Sequence, residues 1–152
     1  MTQKNAEGAL PADAFAAGGT RPCGVYIHVP GCSSRCGYCD FNTYVPGAIE
    51  AASPASFVDD AIAEIRIARA LMGEQNAKVS TVFFGGGTPT LLPASSLAAV
   101  LAAIDDQFGL AVDAEVTTEA NPESVNPNYF DELLGAGFTR ISLGMQSSAA
   151  SV

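Results

Sequence analysis

Val25-Tyr26-Ile27-His28-Val29, then Pro30-Gly31, then Cys32-Ser33-Ser34-Arg35-Cys36-Gly37-Tyr38-Cys39 is the stretch on which the fold turns. Val25, Ile27 and Val29 alternate with Tyr26 and His28, which predicts a strand, and Pro30-Gly31 ends it. Three cysteines follow within eight residues, three residues apart and then two. Gly31 and Gly37 let the chain bend tightly there. The stretch reads as a strand that runs straight into a loop wrapped around a metal centre.

Working outward, Asp40 to Ser53 continues the loop, with a turn signal at Pro46-Gly47. Ser53-Pro54 starts a helix whose inner stripe is Val58, Ile62, Ile65, Ala68 and Met72, with Gly73 as its end signal. Val79 to Phe84 is a second strand, running into Gly85-Gly86-Gly87-Thr88-Pro89. A second helix begins near Pro93, with Leu97, Val100, Leu101, Ile104 and Phe108 inward, and closes at Gly109. In a third strand, Val112 to Ala120, the residues Glu115, Thr117 and Glu119 alternate with Val116, Thr118 and Ala120. Asn126-Pro127 caps a third helix with Phe130, Leu133 and Leu134 inside, ended by Gly135 and Gly137. Phe138 to Gly144 is a fourth strand.

Strands alternating with helices imply an α/β fold with a parallel sheet. A Rossmann-like sheet and a βα barrel both fit, and both gather ligands at the C-terminal ends of the strands. The unusual residues lie at those ends. They are the cysteine loop, the glycine run, Glu119-Ala120-Asn121-Pro122, and Gly144-Met145-Gln146-Ser147.

The 152 residues suffice for one ordinary domain, and the formal charge of −9 argues against capture of nucleic acid or of an anionic membrane surface. No apolar run is long enough to span a bilayer. Residues 1–22 lack the features of a secretory or transit signal and are expected to be a disordered tail. A cytoplasmic, reducing setting suits the four cysteines better than disulfide pairing. Residues 23–152 read as the N-terminal part of a longer core domain, because no helix follows the fourth strand.

Three thiolates can hold three irons of a cubane cluster and leave the fourth iron open to a small molecule. The alternative is a closed structural zinc site with Cys23 as fourth ligand. Cys23 lies nine residues before Cys32, beyond a strand that spans roughly 17 Å, and so falls at the opposite end. The glycine run is neither a Walker loop nor a Gly-x-Gly-x-x-Gly fingerprint. It is either a tight turn or a place where a ligand touches bare backbone, with carbonyls for an ammonium group and the Thr88 hydroxyl beside them. Glu119 is either a solvated strand-end carboxylate or a group for ribose hydroxyls or an ammonium. Gln146 is a surface amide or part of the same rim. His28 is expected in a hydrogen-bonded structural role, on the face it shares with Tyr26. Arg35 and Asp40 are expected to order the loop or to be solvated.

These residues resemble the radical S-adenosylmethionine superfamily. Cys32-x-x-x-Cys36-x-Tyr38-Cys39 is similar to its cluster motif, and Gly85-Gly86-Gly87-Thr88-Pro89 to its loop for the methionine end of the cofactor. Tyr26-Ile27-His28-Val29-Pro30-x-Cys32, Glu119-Ala120-Asn121-Pro122-Glu123 and Ser142-Leu143-Gly144-Met145-Gln146-Ser147 narrow the resemblance to the HemN/HemW group. The oxidase branch of that group carries a further cysteine two residues after the third, and Phe41 stands there, as in the heme-chaperone branch. Gly31 departs from the bulky aromatic common before the first cysteine.

The resemblance implies the N-terminal part of an incomplete βα (TIM-like) barrel, with about four parallel strands and three helices. It implies a [4Fe-4S] cluster on Cys32, Cys36 and Cys39. It implies S-adenosylmethionine near Tyr26, Tyr38, Gly86, Gly87, Thr88, Glu119 and Gln146. It further implies heme as cargo, heme-acceptor proteins and an electron donor as partners, and peripheral membrane association through a later part of the protein. An oxygen-independent coproporphyrinogen III oxidase is the alternative activity.

Overall fold

A computed structural model describes residues 22–45, 54–73, 78–145 and 147. Residues 1–21 of the tail expected over 1–22, the Pro46-Gly47 turn and Gln146 lie outside the described residues. The elements are β1 (Cys23–Val29), α1 (Pro54–Met72), β2 (Val79–Gly86), α2 (Ala94–Phe108), β3 (Leu110–Ala120), α3 (Pro127–Gly135) and β4 (Arg140–Leu143). Short 3-10 turns at Pro89–Leu91 and Pro122–Ser124 follow β2 and β3.

All adjacent strand pairs are parallel, and the strands lie side by side in sequence order, β1-β2-β3-β4. A doubly wound sheet reverses its strand order at a switch point. Here each crossover steps the same way, so α1 packs on α2 and α2 on α3 along one face. That is the winding of a βα barrel, and it separates the two architectures the sequence left open.

The helix-covered face is the core. Ile27, Val29, Val82, Phe84 and Val116 of the strands meet Ile65, Leu97, Val100, Leu101, Ile104 and Leu133 of the helices. The Phe84 and Phe138 rings pack at 5.2 Å between centroids. At the start of α3 the Asn126 side chain accepts the Tyr129 amide at 3.0 Å, and Pro127 follows at the first helical position. This satisfies one of the donors a helix start leaves unpaired.

Two expectations about burial need correction. Leu134 is exposed, at 71 %, because Leu133 takes the inward position of α3 and its neighbour lies about 100° around the helix. In β3 the alternation fails at Val116, Thr117 and Thr118, which are all buried. Val116 and Thr118 face the helices. Thr117 lies on the other face, where it donates to Glu115 Oε1 at 3.1 Å and accepts from Arg140 Nη1 at 3.4 Å. Its hydroxyl is thus satisfied on a face that carries no helix among the described residues.

The sheet's other face has no helix over it among the described residues. Tyr26, Phe83, Thr117 and Arg140 are register partners across the four strands, and one step further His28 pairs with Gly85 and Glu119 with Ser142. In-register parallel residues point to the same side of a sheet. This rung of His28, Gly85, Glu119 and Ser142 marks the C-terminal rim, directly beneath the loops of interest.

Candidate functional site

The cysteine loop is closed at its neck by backbone pairing. Cys32 N–H donates to the Tyr44 carbonyl at 2.9 Å, and Tyr44 N–H donates to the Pro30 carbonyl at 2.8 Å. Within the loop, Cys39 N–H donates to the Cys36 carbonyl at 3.1 Å, a turn through Gly37 and Tyr38. Cys36 is exposed, Cys32 and Cys39 are half-buried, and all are free thiols. Partial desolvation, then a hydrogen bond to Cys36 and the nearby Cys36 and Cys39 sulfurs, raise the pKa of the Tyr38 phenol. Among the described residues no three His, Cys, Asp or Glu side chains converge closely enough to hold a metal ion. What fits is the donor set: three accessible thiols on one short loop, the ligands a soft iron centre takes.

Cys23 is the first residue of β1, in register with Val79, and its carbonyl accepts from the Ser80 hydroxyl at 3.1 Å. It sits at the far end of the strand from the loop and packs against the core.

The glycine run docks against that loop. Gly87 N–H donates to the Val29 carbonyl at 2.7 Å, and Thr88 N–H donates to the Gly31 carbonyl at 2.7 Å. A β-carbon on Gly87 would strike the Gly31 carbonyl. Gly86 has φ +111°, and a β-carbon there would lie 2.6 Å from the His28 ring. The turn is bare because neighbouring strands occupy the space a side chain would need. His28 reaches over it from β1, and Glu119 reaches over it from β3.

Glu119 is half-buried, and its Oε2 accepts the Gly86 amide at 3.0 Å. Desolvation, and then the Glu119 charge, raise the Tyr26 phenol above its ordinary value. Tyr26 stacks on Phe83 at 6.2 Å, and its hydroxyl lies 2.9 Å from His28 Nδ1. His28 Nε2 in turn lies 2.8 Å from the Asn42 carbonyl. Thr88 is buried, with its hydroxyl accepting from Asn121 Nδ2 at 3.3 Å.

Tyr26, Gly86, Gly87, Thr88 and Glu119 are thus gathered at one rim with the cysteine loop and Tyr38 beside them. Gln146 is outside the described residues. Asn42 and Asn121 carry contacts that the sequence did not assign. Asn121 stands in a strand-end stretch the sequence singled out, but its partner Thr88 is visible only once β2 and β3 are paired. Asn42 acts through its backbone carbonyl, which leaves no side-chain signal.

Comparison with known proteins follows the same residues. Residues 26–151 match the Radical SAM superfamily. The chain is 51 % identical over 132 residues to the heme chaperone HemW of Mycobacterium tuberculosis, covering 87 % of this chain and 33 % of that protein. It is 38 % identical over 128 residues to the heme chaperone HemW of Escherichia coli, covering 83 % of this chain and 32 % of that protein. The chain therefore spans about a third of the length of these relatives. The solved structure of coproporphyrinogen III oxidase (HemN) from Escherichia coli, a radical SAM enzyme, matches with a TM-score of 0.77 and 27 % identity. That match covers 93 % of this chain and 33 % of the other. With its unreversed strand order, its cysteine loop docked on a glycine turn, and this match over residues 26–151, the chain belongs to the radical SAM superfamily.

Proposed function

We propose that this chain is the cluster- and S-adenosylmethionine-binding part of a HemW-type heme chaperone, which carries heme to acceptor proteins. The observation that carries the reading is the junction of the two loops. Thr88 N–H to the Gly31 carbonyl at 2.7 Å sets the start of the cysteine loop against the turn that would take the methionine end of the cofactor.

In this reading Cys32, Cys36 and Cys39 hold the cluster. When bound, such a cluster supplies a thiolate-held redox centre with one iron open to a small-molecule ligand. The backbone of Gly86 and Gly87 and the Glu119 carboxylate take up polar groups of the cofactor. Tyr26 and Tyr38 flank it, Thr88 braces the turn from behind through Asn121, and Gln146 is included on the strength of the sequence resemblance alone. Cys23, at the other end of β1, is left out, which favours a three-thiolate cluster over a closed zinc site. No helix among the described residues is long and apolar enough to cross a membrane. A cytoplasmic location, an electron donor and peripheral membrane association belong to the same proposal.

The oxidase reading rests on the likeness to HemN. Phe41, where the resemblance places a cysteine in that branch, favours the chaperone. Reconstitution of the full-length protein under anaerobic conditions decides between them. Iron and sulfide uptake, stoichiometric heme binding and no decarboxylated product from coproporphyrinogen III are expected. Turnover of coproporphyrinogen III sinks the chaperone reading, and zinc without sulfide sinks both.

A further inference from the structure

The neck of the cysteine loop is held by backbone pairing, but its return limb beyond Cys39 is reached from the sheet by a side chain. The acceptor on Asn42 is a carbonyl, so His28 Nε2 must carry the hydrogen in that 2.8 Å contact. In the neutral imidazole Nδ1 is then an acceptor, and the Tyr26 hydroxyl donates to it at 2.9 Å. The ring is also pressed against Gly86, where even a β-carbon would come within 2.6 Å. Tyr26, Asn42 and Gly86 therefore fix the imidazole from three directions, with its tautomer set.

We propose that His28 is the positioning residue of the cysteine loop. By donating to the Asn42 carbonyl while seated on Gly86, it fixes the limb between Cys39 and Tyr44 beside the glycine turn. The strand, the loop and the turn then move as one unit, and the three cysteines keep a constant place relative to Gly86 and Gly87. The consequence for cluster uptake rests on the functional reading above; the mechanical role does not.

The test uses the full-length protein and two readouts. Hydrogen exchange in the metal-free chain follows the Cys32 and Tyr44 amides at the neck, with the Val82 and Phe84 amides of β2 as the internal standard. Iron per chain is measured after reconstitution. His28→Leu is expected to speed exchange at the neck about tenfold, the scale of one lost hydrogen bond, with the β2 amides unchanged and iron uptake lowered severalfold. His28→Gln places an amide nitrogen where Nε2 stood and is expected to restore both readouts. His28→Asn reaches only the Nδ1 position and is expected to behave as His28→Leu. Wild-type protection in His28→Leu overturns the proposal, as do equal effects of Gln and Asn. Loss of protection throughout β2 overturns it too, because His28 would then support the whole fold. A wild-type chain that takes up no iron, yet shows the His28-dependent protection, supports the positioning role and sinks the functional reading.

Discussion

Glu119 Oε2 accepts the Gly86 amide at 3.0 Å, so the last carboxylate of β3 is tied to the turn that ends β2. A carboxylate has about four lone-pair sites, so this bond leaves room for a second donor from a ligand. The same side chain therefore shapes the turn and offers charge to whatever the turn binds.

Substitution separates those two tasks. Glu119→Gln keeps an amide oxygen for the Gly86 N–H, so the urea midpoint is expected to stay near wild type. The lost charge is expected to weaken S-adenosylmethionine binding about tenfold or more, the scale of a charge-assisted hydrogen bond. Glu119→Ala strands the Gly86 amide and is expected to cost about 1–3 kcal/mol as well. In Glu119→Gln the Tyr26 phenol should titrate lower than in wild type but still above its ordinary value, because desolvation, the larger cause, persists. Equilibrium dialysis with the reconstituted protein, denaturation curves and phenolate absorbance check the three parts.

Gly86→Ala tests the turn itself. The backbone sits at φ +111°, and the new methyl would meet the His28 ring rather than solvent. A strained backbone position costs of order 1–3 kcal/mol before any steric clash is counted. The variant is expected to unfold at clearly lower urea. Crowding His28 away from Asn42 should also raise exchange at the Tyr44 amide. An unchanged midpoint would mean that the turn relaxes freely and that the strand-to-strand packing described above is loose.

The alternation of Val25, Ile27 and Val29, the helix stripes apart from Leu134, and the strand-end clusters were legible because each depends on local period and on turn residues. Asn126 as a cap was legible for the same reason. What the sequence could not show depends on neighbours from elsewhere in the chain. Buried Thr117 bonds to Glu115 and Arg140, and Arg140 lies on the next strand. The strand order that separates a barrel winding from a Rossmann sheet is likewise a property of pairing, not of any one segment. From the sequence the glycine run is either a tight turn or open backbone for a ligand. Its space proves to be shared with His28 and Glu119, side chains that only the parallel register brings over it.

Tyr129 sets an alkaline limit on stability. Its hydroxyl donates to the Leu92 carbonyl at 2.8 Å, tying α3 to the segment ahead of α2. Burial, and then the Glu132 charge, push its pKa up from 10.0 to about 12. Between those values the folded chain holds a proton that the unfolded chain has released. The stabilisation is thus complete below pH 10 and is lost as pH rises towards about 12. Tyr129→Phe is expected to lower stability by about 1 kcal/mol at neutral pH, since the Leu92 carbonyl loses its donor. The variant's alkaline decline should be shallower, because the group whose pKa burial raises most has been removed. Denaturation midpoints measured across that range check the difference in slope.

The cysteines give the sharpest contrast, because four are present and only three share a loop. Cys36 is exposed within the turn that Cys39 N–H closes, so its side chain has no part in the core. Cys36→Ala should therefore leave the denaturation midpoint within about 0.5 kcal/mol of wild type, as surface changes do. In the reconstituted full-length protein it should abolish the iron–sulfur chromophore. Cys23→Ala should do the reverse. Cys23 is half-buried and packs against the core at the start of β1, so removing its sulfur should cost stability while iron and sulfide content stay at wild-type level. The two substitutions thus separate loss of cluster from loss of fold. Equal loss of iron in both would mean that Cys23 shares the site, which the length of β1 between it and the loop argues against. The three-thiolate reading would then have to be given up.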